Sequence, residues 1–459
     1  SGACIYGALS NSDTAIRNTT VANCAGGRGG IFLSAGAAID NVTIDNNDVS
    51  QTDGRGIVIW DGQKTHIAIT NNHVHDLTGC CGIELQDGSA SGVTVTGNTV
   101  ENTGDSGVAF VQLTSGAGPN LISGNTIVNT GRFGMEVKIP NGTGLASGDG
   151  SIVVENNTVT AGATAANLHD RAGIAVVRRS YSPAYPFEVD ATNGVIVRNN
   201  MVNGWQPVSG SPNDGFGIVV EGTNSQVYGN TVNGNGIGIQ LQSGNDPGSL
   251  PGDSDQNAMD AFFSRGNAPA SCVDLGSNTF NGNGTDSRSE TNPSGINIAA
   301  DVHDTTNGTF FCSIQSAINA ATTSPGDTLV ADPGTYVENV VVNKSVTLQG
   351  PFAGVPGYDV SRDGTGEAVI SPASGSALTL AASGAIVDGF SISIPSGVAV
   401  QPGGATRDNM QFIDNRVVDI PNGVGIRFEP GEGTPASGLI ISGNLFADIG
   451  GTGTNGSAI

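Results

Sequence analysis

A phrase that returns every 25 to 27 residues constrains this chain more than any other feature. Between residues 41 and 113 it is written three times, as NVTIDNNDVSQTDGRGIVIWDG, HIAITNNHVHDLTGCCGIELQDG and GVTVTGNTVENTGDSGVAFVQL. Each copy runs from alternating apolar residues through Asn-x-Val and a polar turn to a glycine that opens a second alternating run. Asn47, Asn72, Asn98 and Asn125 hold one place in the phrase; Gly56, Gly82, Gly107 and Gly134 hold another. A fixed period of this size is the mark of a solenoid.

The alternation has period two, so Val42 and Ile44, Ile57 and Ile59, and Ile83 and Leu85 read as strands with one buried face. Apolar residues at helical spacing are missing. Ile57, Ile59, Ile83, Leu85, Val108 and Phe110 are expected to point inward, with Val58, Glu84 and Ala109 outward. Short strands stacked coil on coil, ~4.8 Å apart, make a parallel β-helix. Stacking sets each asparagine on the next, so their amides can bond along the axis as a ladder. The crossover rule favours the right-handed form. On these residues the chain resembles the right-handed parallel β-helix repeats of the pectin-lyase-like superfamily, over nearly its whole length. The resemblance implies an all-β fold, a right-handed parallel β-helix. It implies no single function, because that superfamily holds lyases, hydrolases, epimerases, tailspikes and adhesins.

The 459 residues include 70 glycines, and 13% are charged. Glycine, asparagine, threonine and serine suit tight turns and ladders, so the low charge is no sign of disorder. Seventeen basic residues against 41 acidic ones leave a net charge of −24. That field opposes nucleic acid and anionic membranes as partners. It admits an acidic polysaccharide only through bridging Ca²⁺. No apolar run reaches membrane-spanning length. Six cysteines in an acidic, lysine-poor chain point to an oxidising setting, extracellular or at a cell surface.

Residues 1–245 read as a first parallel β-helix. Its opening is already in phase, with Ile16, Thr19 and Val21 matching Ile44, Asn47 and Val49. Cys4 and Cys24 lie about one coil apart and are predicted to form a disulfide. The next coils carry His66, His73, His75, Asp76 and the adjacent Cys80 and Cys81. This spacing offers imidazole and thiolate donors to a transition metal; a vicinal disulfide and an ordinary polar turn are the other readings. Asp61-Gly62 and Asp87-Gly88 fall in register, stacking two carboxylates. These are the donors of a Ca²⁺ site, of a closely spaced catalytic pair, or of plain Asp-Gly turns.

The ladder continues at Asn157, Asn200 and Asn230, but the spacing swells to 32 and 43 residues before falling to 30. The inserts are 139–150, 161–171, 178–192 and 204–214, and function collects on such loops. Lys138 stands four residues after Gly134 and Arg178 five after Gly173, which predicts the same strand edge on adjacent coils. A lyase or epimerase needs a base for the proton beside a uronate carboxylate, and a cation to neutralise that carboxylate. Lys138, Arg178, His169 and Tyr181 are the residue types for this catalytic work, with Glu136, Arg179, Tyr185 and Trp205 placed to bind substrate. The competing reading is a salt-bridged, loop-rich surface without turnover. The superfamily's Gly-His-Gly, Arg-Ile-Lys and Asp-Pro-His signatures are absent. In IWDG, Gly62 stands where the pectate-lyase segment has histidine. The polygalacturonase and alginate-epimerase types are therefore disfavoured.

Residues 246–311 read as a Pro/Gly/Asp-rich junction with one weak coil around Asn278. Then SIQSAINAA, with Ile314, Ile318 and Ala321 on one face, predicts a short amphipathic helix. The segment that follows resembles the opening of pectin-lyase-like β-helices, where a cap helix precedes the first coil. Cys272 and Cys312 flank the junction and are expected to pair. Residues 312–459 form a second β-helix, with Asn415 and Asn444 resuming the ladder and the last coil open. The expected function is an extracellular structural or adhesive solenoid, part of a surface fibre or filament. Its loops would touch a polysaccharide or cell-surface glycan, and the chain would be either an excerpt of a longer solenoid or a unit whose copies stack head to tail. The alternative is a polysaccharide lyase acting by β-elimination on the loop-rich face of residues 132–214.

Overall fold

Successive coils of the first part of the chain add strands to three parallel sheets. In this computed structural model the described residues are 2–8, 12–34, 36, 38–111, 114–115, 120–138, 152–162, 171–177, 195–207, 214–221, 223–242, 270–273, 277–289, 302–311, 313–320, 322–403, 408–427 and 437–450. They fall into two compact units, Ser1–Asn297 and Ile298–Ile459. In the first, sheet I has ten strands, from Ala3–Ala8 to Thr285–Ser289. Sheet II has eleven, among them Ala38–Asp45 and Gln63–Thr70, and sheet III has nine, from Thr20–Ala22 to Thr279–Asn281. The architecture is the predicted parallel β-helix.

Register sets the core. Ile31, Ile57, Ile83, Val108, Met135, Ile174, Ile218 and Ile239 are successive partners in sheet I. All of them are fully buried. The six residues expected to point inward do so. Val58, Glu84 and Ala109 lie on the opposite face but are buried too, because that face carries a packing layer of its own. Tyr6, Phe32 and Trp60 stack with centroids 5.9 Å apart, and the Arg55 guanidinium lies 5.1 Å from the Trp60 ring while pairing with Glu84. Farther along sheet I, Phe133, Ala172, Ala175, Val177, Phe216, Val219 and Ile237 form a second apolar cluster, separate from the core.

The ladder explains the recurring Asn-Asn and Gly-Asn pairs. In each pair the first residue turns the corner between sheets II and III in the left-handed region. Asn46, Asn71, Asn156 and Asn199 have φ of 53–56°, and Gly97, Gly124 and Gly229 have 64–66°. Asparagine and glycine enter that region at the least steric cost. The second residue points inward. The side-chain amides of Asn47, Asn72, Asn98, Asn125, Asn157, Asn200 and Asn230 each donate to Oδ1 of the next, ending on Asn278, at 2.9–3.0 Å. Each Oδ1 also accepts the backbone N–H of the preceding rung, as Asn98 Oδ1 does from Asn72 at 2.9 Å. Buried amides are thus satisfied along the axis, which removes the penalty of burying them.

The second unit is built on the same plan with three smaller sheets. The helix runs Ile314–Asn319, buries Ile314, Ala317 and Ile318, and starts at a Ser313/Ser316 capping box. The Glu338 carboxylate accepts the N–H groups of Ile314 and Gln315 at 2.8 and 2.9 Å, where a helix start favours negative charge. Ala317 shares the buried face with Ile314 and Ile318, and the expected Ala321 lies outside the described residues. Val302–Asp304 forms an antiparallel pair with Thr309–Phe311 and also pairs with Thr328–Ala331. Asn415 donates its N–H to Asn444 Oδ1 at 2.8 Å, so the ladder does resume. The segment 351–366 is tied down by Arg362, which is buried, forks onto Glu367 at 2.7 and 3.0 Å, and reaches the carbonyls of Val355 and Phe390.

Candidate functional site

The expected site divides into residues the structure places and residues it does not describe. His169, Arg178, Arg179, Tyr181 and Tyr185 lie outside the described residues, as does the side chain of Lys138. The Lys138 backbone ends the strand Phe133–Lys138 directly opposite Val177, one residue before Arg178.

Two expected substrate contacts are corrected. Trp205 is fully buried in the core, so it offers no ring face to a ligand. Its backbone N–H donates to Asn235 Oδ1 at 2.9 Å, and a Cβ added at Gly173 would stand 2.8 Å from its Nε1. The glycine that opens the sheet I strand makes room for the indole. The sequence placed Trp205 on an insert because the insert begins beside it; tertiary packing drew the apolar ring inside. Glu136 is also buried, lying in register between Ala109 and Ala175, and accepts the Ser106 hydroxyl at 3.0 Å.

Asp61-Gly62 and Asp87-Gly88 stack as their register predicts, with Ser89 N–H donating to Gly62 O at 3.2 Å. All four residues have φ between 57 and 76°. A cation is already there. Lys64, fully buried, donates its ammonium to the carbonyl of Asp61 at 2.7 Å and to that of Asp87. Burial pushes its pKa down to about 8, with the Asp87 and Asp61 carboxylates opposing the shift. The chain's own ammonium thus takes the carbonyl cradle beside the two aspartates for which a Ca²⁺ site is one of three readings. Lys64 sits at an apolar position of its strand, between Ile39 and Ala90, and that exception was the available signal.

Cys4 and Cys24 are disulfide-bonded, as expected, and Cys80 and Cys81 are bonded to each other. The pairing of Cys272 with Cys312 lies outside the described residues. Among the described residues two groups gather three metal-type donors: Asp48 with His73 and His75, and Cys80 and Cys81 with Glu84. The bond between its cysteines closes the second. The first was half legible: the sequence marked His73 and His75, but not Asp48 one coil earlier.

Residues 10–310 match the family described as right handed beta helix region, and the chain belongs to that family. Its coils are therefore right-handed. The cell surface glycoprotein of Methanothermus fervidus is 34% identical over 101 residues, a stretch that is 22% of this chain. The match spans 15% of the glycoprotein's length. Among solved structures, the A-module of the Azotobacter vinelandii mannuronan C-5 epimerase AlgE6 is 12% identical, covering 96% of this chain and 90% of that one, with a TM-score of 0.29. The PL6 family alginate lyase AlyGC is 11% identical, covering 98% and 86%, with a TM-score of 0.20. At such identities the likeness concerns fold alone. No helix among the described residues is long and apolar enough to cross a membrane.

Proposed function

We propose that this chain is a structural or adhesive β-solenoid of an extracellular or cell-surface protein, meeting a polysaccharide or cell-surface glycan through its loops. The amide ladder carries this reading. A column from Asn47 to Asn278, buried and bonded rung to rung, makes a scaffold whose order needs no ligand. The Cys4–Cys24 disulfide supports an oxidising location. So does the likeness of one stretch to a cell surface glycoprotein. The test is antibody labelling and protease shaving of the intact cells that make the protein. Surface labelling is expected; recovery only inside the cell, with Cys4 and Cys24 reduced, would refute it.

One observation favours a second reading, a polysaccharide lyase. Lys138 pairs with Val177 on adjacent strands of sheet I, and Arg178 is the next residue in the sequence after Val177. A base and a carboxylate-neutralising cation on one substrate are the roles these two residue types would take. Its test is the absorbance of unsaturated products.

A further inference from the structure

Sheet III presents an unusual face to solvent in the second to fourth coils. The strands Asp48–Ser50, His73–His75 and Thr99–Thr103 run parallel, with Asp48 paired to His73, Ser50 to His75 and His75 to Glu101. Val49, Val74 and Val100 point into the core, so the flanking residues point out. Stacking brings side chains from separate coils together. Asp48 Oδ2 lies 3.5 Å from His73 Nδ1 and 3.6 Å from His75 Nε2, and the two imidazoles stack at 4.2 Å. The three donor atoms all lie within 4.8 Å of one another.

We propose that Asp48, His73 and His75 form a binding site for a divalent transition-metal ion of the zinc type, spanning two coils of the solenoid. Bonds of about 2.0–2.1 Å put tetrahedral donors about 3.3–3.4 Å apart, so the two carboxylate–imidazole separations need only a small contraction around an ion. The donor set selects the class: two imidazoles and one carboxylate suit zinc, nickel or copper, whereas calcium takes six to eight oxygens. The fourth position faces solvent, since His73 and Asp48 are 45% and 44% exposed.

The second ring nitrogens fit the same reading. His75 Nδ1 lies 2.9 Å from Asp76 Oδ2, and Asn102 Nδ2 donates to the other Asp76 oxygen at 2.8 Å. A carboxylate so placed holds the proton on Nδ1 and leaves the Nε2 lone pair for an ion. On His73, Nδ1 faces Asp48 while Nε2 faces Glu101 Oε1 at 3.8 Å. Both imidazoles therefore turn one nitrogen toward the shared centre and the other toward a carboxylate. The ion would join neighbouring coils from outside, as the ladder joins them within.

The test is calorimetric titration of the tag-free, chelator-treated chain, disulfides intact, with Zn²⁺ alone, alongside Co²⁺ absorption. One equivalent should bind, with a tetrahedral Co²⁺ spectrum. His73→Ala and His75→Ala should each weaken binding at least ~100-fold, and Asp76→Asn, acting through His75, ~10–100-fold. His66→Ala, whose imidazole pairs with Asp40, should change nothing. In the unaltered chain, Zn²⁺ should shield His73 and His75 from diethyl pyrocarbonate. No saturable binding, undiminished binding in the double histidine variant, or displacement of Zn²⁺ by equimolar Ca²⁺ would each overturn the proposal.

Discussion

The side-chain amide of Asn98 donates to Asn125 Oδ1 at 3.0 Å, and the same oxygen accepts the backbone N–H of Asn98 at 3.0 Å. One side chain thus satisfies both polar groups of the rung before it. Replacing Asn98 by alanine should orphan the N–H and amide of Asn72 and the carbonyl of Ile69. At ~1–3 kcal/mol for each of the three buried orphans, the expected loss is ~3–9 kcal/mol. Asn71→Gly is the contrast, because that exposed corner keeps the left-handed region that Gly97 takes one coil later and loses a single exposed hydrogen bond, to Asp45 Oδ1. It should cost under ~1 kcal/mol. Denaturant unfolding of the two variants checks both values, and equal losses would contradict the ladder as a main support.

Trp205 and Trp60 are the two tryptophans of the chain. In a Trp60→Phe variant the remaining emission should be blue-shifted and resist iodide quenching, because Trp205 is fully buried. Trp205→Ala should cost ~3–5 kcal/mol through the cavity it leaves. Ready quenching would return Trp205 to the surface and to glycan contact.

Lys64 gives a pH signature. The unfolded chain keeps the ordinary value near 10.5, and burial lowers the folded value to about 8. Between those pH values the unfolded state binds more protons, so this group makes stability rise with pH. Below about 8 both states are protonated and its contribution is flat. Urea midpoints at pH 7.5, 9 and 10 should show the rise in the native chain and lack it in Lys64→Met.

The Cys4–Cys24 bridge closes a separation of 20 residues. Constraining the unfolded chain over such a loop contributes ~3 kcal/mol. Cys4→Ser/Cys24→Ser should lose about that much in unfolding experiments. Non-reducing peptide mapping should recover the linked peptide; free thiols at both positions would also undercut the extracellular reading.

The lyase reading makes a separate prediction. With neutral and acidic polysaccharides and Ca²⁺ present, the chain should release unsaturated products. Lys138→Ala and Arg178→Ala should each abolish them without lowering the thermal midpoint. Absence of product from every polysaccharide would leave the structural and adhesive reading.

Period and turn chemistry are local properties, and what depends on them was legible in the residues alone. The 25- to 27-residue phrase specified stacked coils, the alternation specified which side of each strand is core, and Asn-Asn or Gly-Asn specified the corner and the rung behind it. Cys4–Cys24 followed from a separation near one coil, and the cap helix from Ile314 and Ile318. What meets between coils depends on register, and coil length varies too much for period alone to give it. Only the tertiary structure set Asp48 against His73 and His75, Arg55 against Glu84, and the Lys64 ammonium on the carbonyls of Asp61 and Asp87. The same holds for Trp205. Chain position put it beside an insert, but a large apolar ring gains most where water is excluded, and Gly134 and Gly173 leave it that space in the core.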